Sequence, residues 1–342
     1  MWLAGDVGVN HHALSDFRIG HEGLVDRLLT RSIVALESQG LVQLETLAVD
    51  GVRVRAHACV RIAGGASFRR RKTLDELERT AAARVAELKG RLGDSPAVDK
   101  RREAARERAA RERCERIAKA QKQLAEREAR REQKNAAGKG KKQGAVRAST
   151  SDPDARVMKM ADGGFRPACN VQVITDPVSG FIVGTALDTT GSDRGLLVKA
   201  LDKIKLKYAK VPKVMLADGG YFAAADIEWA HAQVSPSSQV PVITPYVPLT
   251  SNKPGIGPRA PRTDDGPGVA ALCQRMQSDE GKAIYKQRSP AELPHARLRD
   301  AGLRQFTLRS AAKVLTQATW AALASNLILC IGLTRKTAAP AT

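Results

Sequence analysis

Apolar residues recur at helical spacing through the first forty positions. Leu14, Phe17, Leu24, Val25, Leu28, Leu29 and Ile33 form one stripe, and Ser15 or Asp16 is available as a cap. Trp2, Leu3 and Val7 are already apolar, so the pattern reads as a helical region entered partway through. Residues 41–49 change period to a short apolar run that closes on Asp50-Gly51. Val52 and Val54 then alternate with Arg53 and Arg55, which predicts a half-buried strand with one basic face.

From about residue 67 to 150 the pattern changes again. Leu74, Leu77, Val85, Leu88 and Leu92 give a usable helical stripe, broken at Gly93-Asp-Ser-Pro96. Beyond Asp99 the stripe thins to alanines with Ile117 and Leu124. Two antiparallel helices, or one long hairpin, fit this best, because Ala, Arg, Glu and Lys are strong helix formers. Residues 138–144, Gly-Lys-Gly-Lys-Lys-Gln-Gly, read as a flexible basic loop.

A conventional core pattern resumes at residue 151. Residues 165–175 and 180–187 are strand-like and joined by Asp176-Pro-Val-Ser-Gly180, a hairpin connection. Ser192-Asp193 can cap a helix over 194–208. A strand over 214–217 stops on Asp218-Gly-Gly-Tyr221, a helix is predicted over 223–233, and a strand over 240–244. Residues 245–270 are rich in Pro, Gly and Ser and read as a loop. Helices around 290–302 and 309–333 close the chain. The apolar run over 318–333 contains Thr319, Ser325 and Asn326 and is read as a buried core helix, not a membrane span. The resulting organisation is a partial helical amino-terminal region (1–40), first strands (41–66), a basic helical insertion (67–150) and the remaining α/β core (151–342).

Composition changes this picture mainly through charge. The chain has 342 residues, a formal net charge of +20 and 43% hydrophobic residues. Residues 71–150 carry 24 Lys/Arg against 13 Asp/Glu, more than half of that excess. Such a field attracts polyanions, nucleic acid above all, with an anionic membrane surface as the competing target. A structural coiled coil is a further reading of the insertion, but its alanine seam argues against strong self-association. Five cysteines are scattered singly, without metal-ligand spacing, which suits a reducing cytosol.

Candidate chemistry lies in acids at the ends of apolar runs. Asp50 and Asp218 each follow one and precede glycine, and acids at strand ends line the crevice of an open sheet. Asp-Gly is also the commonest turn dipeptide, so either acid alone suits a turn. A third acid, Glu292, lies in Tyr285-Lys-Gln-Arg288-Ser-Pro-Ala-Glu292-Leu-Pro-His-Ala-Arg-Leu-Arg299. If these residues formed one helix, Tyr285, Arg288, Glu292 and Arg299 would share a face within about 60°. Pro290 and Pro294 favour instead a helix starting at Ser289, with Tyr285 and Arg288 reaching in from the segment before it. Ser289-x-x-Glu292 is also a capping box. His11, His12 and His295 are most simply surface or helix-end residues.

The order of elements and these motifs resemble the DDE transposases of bacterial insertion sequences. Their signature is Tyr, two residues, Arg, three residues, Glu, six residues, Lys. Tyr285, Arg288 and Glu292 keep that spacing, with Arg299 in place of the lysine. The resemblance implies an α/β ribonuclease H-like fold, a mixed sheet flanked by helices, with the basic insertion after the first acid. It implies Asp50, Asp218 and Glu292 as catalytic and metal-binding residues for two Mg²⁺ ions, or Mn²⁺ in their place. It implies double-stranded DNA as partner, both terminal inverted repeats and target, handled by a homodimer of a cytoplasmic, nucleoid-associated bacterial protein with no membrane role. Tyr285, Arg288 and Arg299 would contact DNA, joined from the insertion by Arg69, Arg70, Arg71, Lys139, Lys141 and Lys142. A truncated, inactive copy that binds DNA nonspecifically is the alternative.

Overall fold

The computed structural model describes residues 10–57, 67–94, 99–136, 145–234, 242–249 and 259–338. The elements begin with α1 (His11–Gly20), α2 (Glu22–Ser38), β1 (Thr46–Arg55), β2 (Phe68–Arg69), α3 (Arg71–Asp94), α4 (Lys100–Ala136), β3 (Ala148–Ser149) and β4 (Arg156–Lys159). They continue with β5 (Phe165–Thr175), β6 (Ile182–Asp188), α5 (Leu197–Tyr208), β7 (Val214–Ala217), α6 (Ala224–Ala232) and β8 (Thr244–Tyr246). Four helices follow: α7 (Pro267–Gln277), α8 (Asp279–Lys286), α9 (Leu293–Asp300) and α10 (Ala311–Ala338). The chain forms two compact units, one of Met1–Val54, Asn170–Arg304 and Ala312–Thr342, the other of Arg55–Cys169 and Gln305–Ala311.

The first unit is built on a mixed sheet, six-stranded in all, in which β5-β1-β7-β8 run in that order, β6 pairs with β5, and β4 pairs with the start of β5. β1 runs parallel to β7 and β7 parallel to β8, whereas β5 and β6 form an antiparallel hairpin. Leu47, Ala48 and Val49 of β1 and Met215, Leu216 and Ala217 of β7 are all fully buried. Two adjacent strands without a polar face are what a parallel sheet covered by helices requires. α2 and α5 pack on β6, and α6 and α7 pack against β8. Helix α10 is long and apolar enough to cross a membrane by length and composition, with half of that window buried. Its buried part, up to Asn326, carries polar residues that are hydrogen-bonded inside the unit, whereas Leu327, Ile328 and Ile331 are exposed. Asn326 accepts from the Ile182 N–H at 2.9 Å and donates to the Ile182 carbonyl at 2.8 Å, and Thr319 bonds Thr185 at 2.8 Å.

The second unit contains α3 and α4 as an antiparallel pair. Gln121 of α4 donates to Asp75 and Glu78 of α3, and Arg71 pairs with Glu128 nearer the base. Leu74, Leu88, Ile117, Ala120 and Leu124 are buried, so the sparse leucine and alanine stripe is the seam. β2 and β3 pair antiparallel at the base. There Arg127 is buried and donates to the carbonyls of Arg147, Pro153 and Ala155. Burial pushes its guanidinium down to about 10. A buried cation bonded to three carbonyls fixes one geometry for the base, because removing it would take a donor from each of them.

Several expectations are corrected. Asp50 does not end its strand: β1 continues through Gly51 to Arg55, since Val52 and Val54 keep the alternation going. α5 starts at Leu197 without a side-chain cap, because Asp193 is engaged elsewhere. β8 lies at Thr244–Tyr246, later than the predicted 240–244. The predicted loop over 245–270 gives way to α7 from Pro267, and α8 follows it. Pro at the first helical position starts α7, where its missing N–H costs nothing. The predicted helix over 290–302 is a 3-10 turn, Ser289–Glu292, followed by α9. The basic loop over 138–144, with Lys139, Lys141 and Lys142, lies outside the described residues, as do residues 1–9.

Candidate active site

The parallel register pairs Val49 with Ala217, so Asp50 and Asp218 each follow one member of the last matched pair on neighbouring strands. Asp50 Oδ1 accepts from the Gly51 N–H at 2.9 Å, and Oδ2 accepts from Arg288 Nη2 at 3.1 Å. Its side chain is only 13% exposed. Burial raises its carboxyl to about 6; Arg288 opposes the rise, whereas the charges of Asp218 and Glu292 add to it. All three acids therefore feel one another at Asp50. Asp218 is half-buried, and its Oδ1 accepts from the Gly220 N–H at 2.7 Å, opening the 3-10 turn Gly219–Tyr221. The turn reading of Asp218 and its place beside Asp50 thus both hold. A Cβ on Gly219 would stand 3.0 Å from the Pro248 carbonyl oxygen, a tight contact for any larger residue.

Glu292 makes no capping bond, so the capping-box reading is not what holds it. Its side chain is 70% exposed, with Oε1 3.9 Å from Arg288 Nη1. Arg288 itself is 15% exposed, and its guanidinium lies between Asp50 and Glu292. Tyr285, on α8, is half-buried beside Arg288. Burial pushes its phenol up, with Arg288 opposing. Arg299, at the end of α9, is exposed. Arg69, Arg70 and Arg71 belong to the second unit, where Arg71 is tied to Glu128.

His295, expected at the surface or at a helix end, does lie in the first turn of α9, but it is largely buried there. Its side chain is 11% exposed, with Nδ1 4.0 Å from Asp50 Oδ2 and Nε2 buried without a hydrogen bond. Burial drives the imidazole down to about 4, helped by Arg299 and Arg288 and opposed by Glu292. The signal was available: His295 follows Glu292 by three residues, the spacing of one helical face.

A second missed group lies beside Gly51. Asp193 Oδ1 accepts from Asn170 Nδ2 at 2.6 Å and from Gln172 Nε2 at 2.9 Å. Gln172 in turn accepts the hydroxyl proton of Tyr221, two residues after Gly219 in the Asp218 turn. Two amides spaced by two residues in an otherwise buried strand were the available clue. A Cβ on Gly51 would stand 2.5 Å from Asp193 Oδ1 and 3.0 Å from both Asn170 Oδ1 and Gln172 Nε2. Gly51→Ala is therefore expected to cost about 1–2 kcal/mol by overpacking, read as a lower urea midpoint. An unchanged midpoint would show that the network yields without cost.

The donor set suits a hard divalent cation, since carboxylates are the usual ligands of magnesium and manganese. Asp50 is the best test of that fit, because its burial and like-charged neighbours leave it short of positive charge. Among the described residues no three Asp, Glu, His or Cys side chains stand close enough to hold one ion. Between Asp50 and Glu292 the compensating charge is that of Arg288.

A mixed sheet flanked by helices, with acids side by side on and after adjacent parallel strands and a third near the arginine that bonds the first, defines an α/β protein with grouped carboxylates. Residues 143–327, just over half of the chain, match the family model described as the transposase DDE domain, and the chain belongs to that family. The matched stretch contains Asp218, Tyr285, Arg288 and Glu292, whereas Asp50 precedes it. No curated protein and no solved structure matches the chain. Membership makes it a chain of the transposition enzymes, with DNA as the partner and divalent metals generally required.

Proposed function

We propose that this chain is an insertion-sequence transposase with a ribonuclease H-like catalytic core, cutting element ends and joining them to target DNA. In this reading Asp50, Asp218 and Glu292 hold two Mg²⁺ ions, or Mn²⁺ in their place. The single observation that carries it is the placement of Asp50 and Asp218 side by side on and after neighbouring parallel strands, with Glu292 3.9 Å from the Arg288 that bonds Asp50. The strand order β6-β5-β1-β7-β8 supports the same reading.

The metals, when bound, generate a nucleophile at neutral pH and neutralise charge on the in-line transition state. The chain's own residues supply the remaining work. Arg288 and Arg299 offer guanidinium forks to DNA phosphate, a geometry that matches paired oxygens. Tyr285 presents a half-buried hydroxyl and ring beside Arg288, placed to bond or stack near the scissile bond. The Asp193, Asn170, Gln172 and Tyr221 network ties β5 to the turn that carries Asp218, with Gly51 of the Asp50 strand packed against it. Handling two element ends calls for two copies of the chain.

The experiment is strand cleavage and joining of a duplex carrying the gene's flanking element ends, with and without Mg²⁺. Products should require the metal and vanish with chelator. Binding to DNA of arbitrary sequence should weaken at least about tenfold between low and physiological salt, because phosphate contacts release counterions. Metal-independent products would remove the two-ion reading, and a flat salt response would remove the basic helices as a phosphate clamp.

A further inference from the structure

Arg288 makes two contacts that a DNA-binding side chain has no need of. One guanidinium nitrogen lies 3.1 Å from Asp50 Oδ2 and the other 3.9 Å from Glu292 Oε1. The first distance is a charge-assisted hydrogen bond; the second is too long for one. Arg288 Nε is buried with no hydrogen-bond partner, so the fork is not satisfied by the acids it faces. The planar fork has five donors and matches any group that offers two oxygens, a phosphate included. The contact is therefore one that a better acceptor can displace.

We propose that Arg288 is a built-in counter-ion that keeps the acid cluster from loading divalent metal until DNA draws the guanidinium onto a phosphate. This rests on the proposed function, in which the three acids form the metal site. A guanidinium and a divalent cation both seek the Asp50 carboxylate, and binding of one opposes binding of the other by mutual repulsion. A phosphate competing for the fork releases that carboxylate. DNA binding and metal binding then favour each other by the same factor, since the coupling between two ligands is reciprocal. The device gives a transposase a metal site that forms on its substrate and stays closed in the free protein.

The test titrates Mn²⁺ into the metal-free full chain and reads free Mn²⁺ by electron paramagnetic resonance. Arg288→Gln is expected to bind Mn²⁺ about tenfold tighter than the wild type, the effect of removing one nearby opposing charge. Arg288→Lys keeps the charge and should stay near the wild type. Asp50→Asn should bind more weakly than either. Adding a duplex with the flanking element ends should tighten Mn²⁺ binding by the wild type, a measurement that needs no variant to fold. Equal affinity for Arg288→Gln and the wild type, or no effect of DNA on the wild type, would overturn the gate while Asp50→Asn still marks the carboxylate site. If Asp50→Asn binds Mn²⁺ as the wild type does, the three-acid site itself falls, and the gate with it.

Discussion

Asp50→Asn is expected to lower magnesium-dependent strand cleavage by about a thousandfold or more while leaving DNA affinity within a factor of about two. The substitution keeps the shape of the side chain and one carbonyl-type acceptor for Arg288. It removes the charge at the point where the cluster converges. Asp50 bonds Arg288, lies 4.0 Å from His295, and feels the charges of Asp218 and Glu292. A thousandfold loss corresponds to about 4 kcal/mol of transition-state stabilisation, of the order a metal-held charge supplies. DNA affinity should hold because nonspecific binding comes from basic side chains, and Asn adds no negative charge. Asp218→Asn should cause a loss of the same order, and the double variant little more, since residues that act as a unit are not additive. Gel-based cleavage with Mg²⁺ beside a filter-binding measurement checks both halves. Cleavage by Asp50→Asn near the wild-type rate would remove Asp50 from the chemistry.

The parts of the fold legible from sequence are those where one signal dominates. The strand before Asp218 was legible because a four-residue apolar run stopped by Asp-Gly-Gly has few other readings. The α3–α4 pair was legible because its leucine stripe is interrupted once, before Pro96, close to where α3 ends. The extent of β1 was not, since Asp50-Gly51 carries a strong turn signal that the alternation of Val52 and Val54 overrides. Local chemistry lost to sheet pairing there. α7 and α8 escaped notice because Pro and Gly at 266–268 read as loop, although Pro267 opens a helix. Among the candidate site residues, Asp50 and Asp218 were nameable from their places after apolar runs and Glu292 from the signature spacing, whereas the residues packed around them were not. His295, Asn170, Gln172 and Asp193 act through partners distant in the chain, so their local spacing hints at a shared face without naming the partner. Arg127 shows the same limit: one of many arginines on α4, it is set apart only by the three carbonyls its guanidinium meets.

In the metal-free chain, His295→Gln and Asp50→Asn should shift the pH dependence of stability in opposite directions. The His295 imidazole is held down to about 4, against about 6.5 in an unfolded chain. Between those values the unfolded chain binds a proton that the folded chain refuses, so His295 costs stability as pH falls. Asp50 is the reverse case. Its carboxyl is raised to about 6 from 3.8, so the folded chain takes up a proton first, and stability rises as pH falls through that window. Each difference exceeds two pH units, which converts to about 3 kcal/mol. In the wild type the two slopes largely cancel between pH 6 and 4, and each substitution should expose the other. Relative to the wild type, His295→Gln should gain about 3 kcal/mol toward acid and Asp50→Asn should lose about as much. Urea unfolding in chelator at several pH values between 4 and 7 reads both directly. Titrating groups away from this cluster drop out of the comparison because they are common to all three chains. Parallel profiles for the three would mean that neither side chain is buried beside the other as described.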